Sequence, residues 1–113
     1  MPRIVYINGI GYLVKTAIIA EASQNANEVV AAITGYLILV LSINYSVAGT
    51  VNVKWQSGST DLTGLDYCVV NNRFAADFHP AGHFATASGE ALNAHLSAAV
   101  AIGGFLTYVE VPA

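Results

Sequence analysis

The residues best suited to chemistry in this sequence are its three histidines, because imidazole titrates near neutral pH. His79 and His83 flank a Pro-Ala-Gly segment, and Asp77 stands just before them. Imidazole and carboxylate groups are reasonable ligands for zinc or nickel. A spacing of four places two side chains on one face only in a helix, and the proline and glycine between these histidines exclude a helix interior. We therefore predict no metal site here, and metal binding stays an alternative interpretation.

The third histidine, His95, has a hydroxyl group nearby in the sequence, that of Ser97. Nucleophilic catalysis needs a nucleophile within hydrogen-bond reach of a base, usually with a third group that orients the base. On a strand, residues two apart are simply neighbours on one face. The sequence contains no Gly-x-Ser-x-Gly elbow. It therefore predicts no catalytic residue and no enzyme.

The acidic residues offer two pairs that could meet, Asp61 with Asp66 and Glu90 with Glu110. Glycoside hydrolysis uses two carboxylates about 5 to 10 Å apart. Chance explains such pairs better than function in a chain with seven acids. The segment Gly9-Ile10-Gly11 stops short of a dinucleotide fingerprint, and there is no phosphate-binding loop. The sequence therefore predicts no cofactor.

Charge is scarce along the whole chain. Only 10% of the 113 residues are charged and 55% are hydrophobic, whereas an average soluble domain is roughly 25% charged. Such a chain has more apolar surface than one small core absorbs, and self-association is the simplest way to cover it. The net charge of −3, without a basic cluster, predicts that nucleic acid is not a partner.

The hydropathy also raises the question of a membrane. The longest apolar segment, 33–47, is interrupted by five polar or small residues, and a spanning helix needs roughly 18 nearly uninterrupted apolar residues. After Arg3 the N-terminal apolar stretch is cut by Asn8 and Gly9, which is unlike a signal peptide. We therefore expect no membrane partner and no export by that route.

Period-two alternation, which is typical of strands, dominates from Leu13 onward. In the first such run Leu41, Ile43, Tyr45 and Val47 alternate with polar residues. A second run, 51–56, places Val51, Val53 and Trp55 on one face. The short segment 48–50 between them contains a glycine and predicts a hairpin.

The C-terminal part predicts a second hairpin. Apolar residues alternate over 92–102, and Gly103-Gly104 then precedes another apolar run, 105–111. Two alanine-rich segments, 16–33 and 91–102, keep a helical alternative open. Neither segment has the charged face of a surface helix, so strands are favoured. The sequence therefore predicts an all-β fold, an antiparallel β-sandwich.

The length fits a single domain, which we assign to residues 13–113, preceded by an irregular N-terminal arm over residues 1–12. This arm could dock on a neighbouring molecule. Cys68 has no partner for a disulfide and is predicted to be a small buried side chain. Trp55 is interpreted as a core anchor, with sugar stacking as the alternative.

Four segments of the sequence carry a resemblance to a known group of proteins: Trp55–Gly64, Pro80–Phe84, Gly89–Val100 and Gly103–Val111. They resemble small proteins encoded among the structural genes of tailed bacteriophages, over nearly the whole chain from Leu13 to Val111. The resemblance implies a jelly roll of the kind that trimerises and a virion component such as a capsid decoration or cement protein. It implies no catalytic residues.

These expectations lead to one principal hypothesis and two alternatives. The principal one is a homotrimeric capsid decoration protein whose partners are itself and the major capsid protein. It would be made in the host cytoplasm and located on the capsid surface of the virion. The first alternative is a tail or head-fibre module that recognises a host glycan through Trp55, Tyr67 or loop asparagines. The second is a small enzyme or metal site at the histidine loop.

Overall fold

The computed structural model describes residues 3–112, and within that range the chain forms strands and turns without a helix. A helix long and apolar enough to cross a membrane is accordingly not found there. The strands are β1 (Ile4–Ile7), β2 (Ile10–Leu13), β3 (Lys15–Glu21), β4 (Asn25–Val30), β5 (Tyr36–Val47), β6 (Val51–Ser57), β7 (Thr60–Asp61), β8 (Asp66–Cys68), β9 (Arg73–Ala76), β10 (Phe84–Ala85), β11 (Leu92–Leu96) and β12 (Ile102–Pro112).

The strands form one hairpin and two five-stranded sheets, and all pairs are antiparallel. The first sheet runs β3-β12-β5, and the short strands β9 and β10 both pair with the far edge of β5. The second sheet runs β4-β11-β6, and β7 and β8 both pair with the far edge of β6. The predicted all-β, antiparallel fold class is confirmed, as is the choice of strand over helix in both alanine-rich segments.

A single large core lies between the two sheets. Its largest buried side chains come from β5 and β12 on one side and from β6 and β11 on the other. Trp55 is 3% exposed, which confirms its interpretation as a core anchor, and Cys68 is a buried free thiol as predicted. Other buried members are Ile19, Val30, Ile38, Val40, Ile43, Tyr45, Val47, Val51, Val53, Leu92, Ala94, Leu96, Ile102 and Leu106.

The two predicted hairpins are wrong, because each pair of strands belongs to different sheets. Segment 48–50 carries the chain from β5 in the first sheet to β6 in the second. Segment 97–101 crosses back from β11 to β12, and the two crossings meet where the Ala48 N–H donates to the Ala101 carbonyl at 2.9 Å. Alternation correctly indicated which side chains face the core, but two strands that face one core can lie in opposite sheets.

The Gly103-Gly104 pair lies inside β12 and is not a turn. A side chain at Gly104 would overlap the backbone of Asn44 on the neighbouring strand β5. Glycine is therefore required there because two backbones approach closely, a known role of strand glycines. The pair marks the central contact of the first sheet, β5 against β12.

One residue of β5 has no partner on β12. Thr107 pairs with Ser42 and Tyr108 with Val40, so Leu41 forms a β-bulge. Because an extra residue reverses the alternation of faces, Leu41 leaves the core that Ile43 occupies and belongs to a separate cluster. The prediction that Leu41 shares a face with the later alternating residues was wrong for this reason.

Candidate interaction surfaces

The N-terminal segment forms a hairpin and not the irregular arm predicted for residues 1–12. Asn8 and Gly9 connect β1 to β2 with positive φ angles of 52° and 79°. This combination is that of a two-residue hairpin turn, for which Asn-Gly is the strongest sequence signal. The prediction of an irregular arm overlooked this Asn-Gly pair, which apolar residues flank on both sides. Met1 and Pro2 lie outside the described residues.

The hairpin is fastened to the outer face of the first sheet by a second, smaller core. Val5 is buried there against Leu41 of the bulge and Val109 of β12, both of which are fully buried. The base of the hairpin is closed by the Val14 N–H, which donates to the Arg3 carbonyl at 2.8 Å. The hairpin is thus held in place by apolar packing.

The opposite face of the hairpin is apolar and open to solvent. Ile4, Tyr6 and Leu13 are 54%, 69% and 49% exposed. Ile4 pairs with Leu13 and Tyr6 pairs with Gly11, so all three side chains project from the same face. Because Gly11 has no side chain, the Tyr6 ring can lie close to the backbone there. We call Ile4, Tyr6 and Leu13 the hairpin face.

The outer face of the first sheet beyond the hairpin is also open. Phe105 of β12 and Phe78, in the loop after β9, are 47% and 40% exposed and border a shallow cavity of about 190 Å³. The Arg3 guanidinium lies 5.4 Å from the centre of the Phe78 ring, a cation–π distance. Phe78 and Phe105 therefore form a second exposed apolar area, and the Arg3 contact places it beside the base of the hairpin.

A deeper pocket of about 260 Å³ opens between the two sheets on the side of the short strands. Four of its nine lining residues are aromatic. Tyr45 lies 5.8 Å from Trp55 and stacks on Phe74 at 5.4 Å, measured between ring centres. The Tyr45 hydroxyl donates to Asp66 Oδ2 at 2.8 Å. The remaining lining residues are Val53, Thr63, Gly64, Leu65 and Phe84.

The polar groups in the wall of this pocket are unequally satisfied. Burial, and then the hydrogen bond to Asp66, raise the pKa of Tyr45 well above its ordinary value, so it stays a hydrogen-bond donor. The buried Trp55 Nε1 makes no hydrogen bond within the described residues. The pocket suits a small apolar group. Since Trp55 is 3% exposed, its ring offers no surface for a sugar to stack on.

The histidines singled out by the sequence have local backbone partners. His79 Nδ1 accepts from the Ala81 N–H at 3.1 Å, and His83 Nε2 lies 2.7 Å from the Asp77 carbonyl oxygen. Among residues 3–112 no group of three or more histidine, cysteine, aspartate or glutamate side chains is placed to hold a metal. His95 lies on β11, and Ser97 follows two residues later, just beyond the end of that strand. The Ser97 hydroxyl accepts from the Asn52 N–H at 2.9 Å.

The acidic residues considered for glycoside hydrolysis each have a partner of another kind. Asp66 accepts from Tyr45, and Asp61 lies 3.1 Å from Lys54. Glu90 accepts a hydrogen bond from the Ser57 hydroxyl at 2.5 Å. Glu110 pairs with Lys15 at 2.6 Å. These contacts give the four carboxylates a structural role in the loops and strands where they lie.

Comparison with protein-family models, with curated proteins and with solved structures found no match to this chain.

Proposed function

We propose that this chain is a structural protein of a bacteriophage virion, a capsid decoration protein that bridges major capsid subunits. In this proposal the sandwich is a jelly roll, three copies form a homotrimer, and the protein acts by binding and not by catalysis. The observation that carries the proposal is the hairpin face, an apolar surface held rigidly on the fold and exposed to solvent.

The construction of the hairpin supports a docking role. Its inner residue Val5 is 7% exposed while its outer neighbours Ile4 and Tyr6 are more than half exposed. A large apolar group on a rigid support binds with little loss of conformational entropy, and aromatic anchors dominate many interfaces. Tyr6 has this character. We assign it the central contact with the capsid.

The scarcity of charge supports an assembled state. Interface centres are depleted of charged residues, and three weak contacts made by one trimer multiply into a strong one. A stable contact with a shell should bury more than about 1,000 Å² in total. The hairpin face and the exposed rings of Phe78 and Phe105 are the apolar areas available for it.

The test is binding of the purified protein to capsids assembled from the major capsid protein of the same phage. Saturable binding and a raised capsid melting temperature are expected. Tyr6→Glu should abolish binding, because a carboxylate would be desolvated at the interface. The matched control is Tyr67→Glu, since Tyr67 is similarly exposed, at 73% against 69%, but lies on β8. Absence of binding at micromolar concentration, or equal binding by both variants, would contradict the proposal.

A second candidate function, recognition of a host glycan, is favoured by the Tyr67 ring, which is 73% exposed on β8. A glycan-array signal lost in Tyr67→Ala would favour this function over decoration. An array without any signal would count against it.

A further inference from the structure

Within residues 3–112 the first sheet ends at β3, beyond which no further strand is found. In this range β3 pairs only with β12, through seven successive residue pairs without a register shift. Among the described residues, no backbone hydrogen bond outside the sheet ladders involves residues 15–21. Because alternate N–H and C=O groups of an edge strand point away from the sheet, β3 presents a row of backbone groups ready to pair.

This edge lacks the usual protection against pairing. Native edges are shortened, bulged, or carry proline or a charge near the middle of the strand. Between Lys15 and Glu21 the strand reads Thr-Ala-Ile-Ile-Ala, without proline, glycine or charge. At its centre Ile18 is 76% exposed, more than any other large hydrophobic side chain of the described residues. An apolar side chain thus marks the middle of an open edge.

The sequence of β3 is complementary to itself when it is reversed. In an antiparallel register centred on Ile18, Lys15 of one copy lies opposite Glu21 of the other, and Glu21 lies opposite Lys15. Ile18 then faces its own copy across the axis. Opposite charges and apolar pairs directly across two antiparallel strands are stabilising. A surface that complements its own copy is the requirement for a two-fold symmetric contact.

We propose that two copies of this chain pair through their β3 strands, antiparallel and about a two-fold axis at Ile18. The two first sheets then form one continuous sheet, with five strands from each copy. The occupant of the open edge is a second copy because the charges at the two ends of β3 match that copy.

Lys15 keeps its partner within the chain when this contact forms. Its ammonium group lies 2.6 Å from Glu110 on the neighbouring strand β12, and the side chain remains 42% exposed. The second copy's Glu21 approaches from the other side of β3. Lys15 therefore lies between two carboxylates, which favours its charged form.

This contact goes beyond the proposed decoration function and does not depend on it. A two-fold contact cannot close a three-fold ring, so in a trimer it joins a subunit of one trimer to a subunit of another. If the chain forms no trimer, the same contact produces a dimer. In both cases its loss at least halves the mass of the particle in solution.

The first experiment measures that mass by analytical ultracentrifugation from micromolar concentrations upward. Ile18→Lys places two like charges face to face at the axis and should lower the mass at least twofold while each copy stays folded. The matched control is Val70→Lys, at a residue 56% exposed on the side of the short strands, which should leave the mass unchanged. A mass unaffected by Ile18→Lys would overturn the proposal.

Charge exchange tests the register. Lys15→Glu and Glu21→Lys should each weaken the association, because like charges then face each other. The double variant restores opposite pairs and should restore the association. A double variant as weak as the single ones would show that these residues do not face each other.

Cysteine cross-linking tests the axis directly, in a Cys68→Ala background. With Ile18→Cys the two β-carbons lie about 5 Å apart across the strands, and mild oxidation should join the copies. With Ala20→Cys the two thiols are four residues apart along the strands, about 13 Å, and should not react. Equal cross-linking at both positions, or none at either, would contradict the proposed axis.

Discussion

The two long sides of this sandwich are built differently. On one side the sheets end in β3 and β4, which are seven and six residues long. On the other side each sheet ends in two short strands placed one after the other, β9 and β10 along β5 and β7 and β8 along β6. These short strands have only two to four residues each. We call the two the long-strand side and the short-strand side.

The difference indicates where copies can join. A run of two to four residues offers too few backbone groups for another chain to extend the sheet, and shortness is one way in which proteins protect their edges. Even on the long-strand side β4 has partial protection, because its pairing with β11 is interrupted by a bulge and it carries Glu28. β3 has neither. The short-strand side instead holds the pocket, so pairing and small-molecule access are separated.

The largest expected effect comes from disrupting the pairing of β5 with β12, which connects the two sides of the first sheet. Gly104→Ala should lower the free energy of unfolding by about 3 kcal/mol, because the added carbon overlaps the Asn44 backbone. The control is Gly103→Ala, whose added carbon meets only the Ile19 carbonyl oxygen at 3.8 Å and should cost less than about 1 kcal/mol. Urea unfolding measures both, and equal losses would contradict the close approach.

A smaller effect should appear with pH, on the short-strand side. Burial, and then hydrogen bonding to Asp66, raise the pKa of the Cys68 thiol from 9.0 to about 11. The unfolded chain releases this proton first, so the stabilisation is complete below about pH 9 and is lost as the pH rises to about 11. Over this window the wild type should lose up to about 2 kcal/mol more stability than Cys68→Ala, measured by urea unfolding under reducing conditions. Equal changes of stability with pH in the two proteins would show that burial does not raise the pKa of the Cys68 thiol.

The smallest effect is expected at the long-strand side, from its ion pair. Glu110→Gln removes the partner of Lys15, and the free energy of unfolding should fall by less than about 1 kcal/mol because the pair is partly exposed. The particle mass should stay unchanged, since the proposed contact between copies uses Glu21. A loss of mass in this variant would contradict a contact between copies through the edge of β3.

The sequence predicted the faces of the strands better than their partners. Alternation in Val51, Val53 and Trp55 correctly indicated three buried side chains, because a sheet that covers a core must alternate. The same pattern cannot distinguish a neighbour in one sheet from a strand across the core, which is why both hairpins were assigned wrongly. The bulge at Leu41 was invisible because both Leu41 and Ile43 are apolar.

Local turn signals are clear in this sequence. Asn71 adopts a positive φ of 66° in the turn after β8, and asparagine tolerates that conformation. The Asn8-Gly9 turn carried an equally clear signal and was missed. The candidate surfaces were less accessible to prediction, because exposure of Tyr6 and Ile18 depends on which strands remain without neighbours. Low charge indicated that apolar residues had to be exposed, but not where.

The bulge at Leu41 lets a single twelve-residue strand, β5, divide its apolar side chains between two compartments. The compartment under the hairpin has three buried residues, Val5, Leu41 and Val109, and is separate from the core between the sheets. A protease that trims the N-terminus would leave Leu41 and Val109 facing water on an otherwise intact protein. The hairpin of β1 and β2 therefore shields Leu41 and Val109 from water.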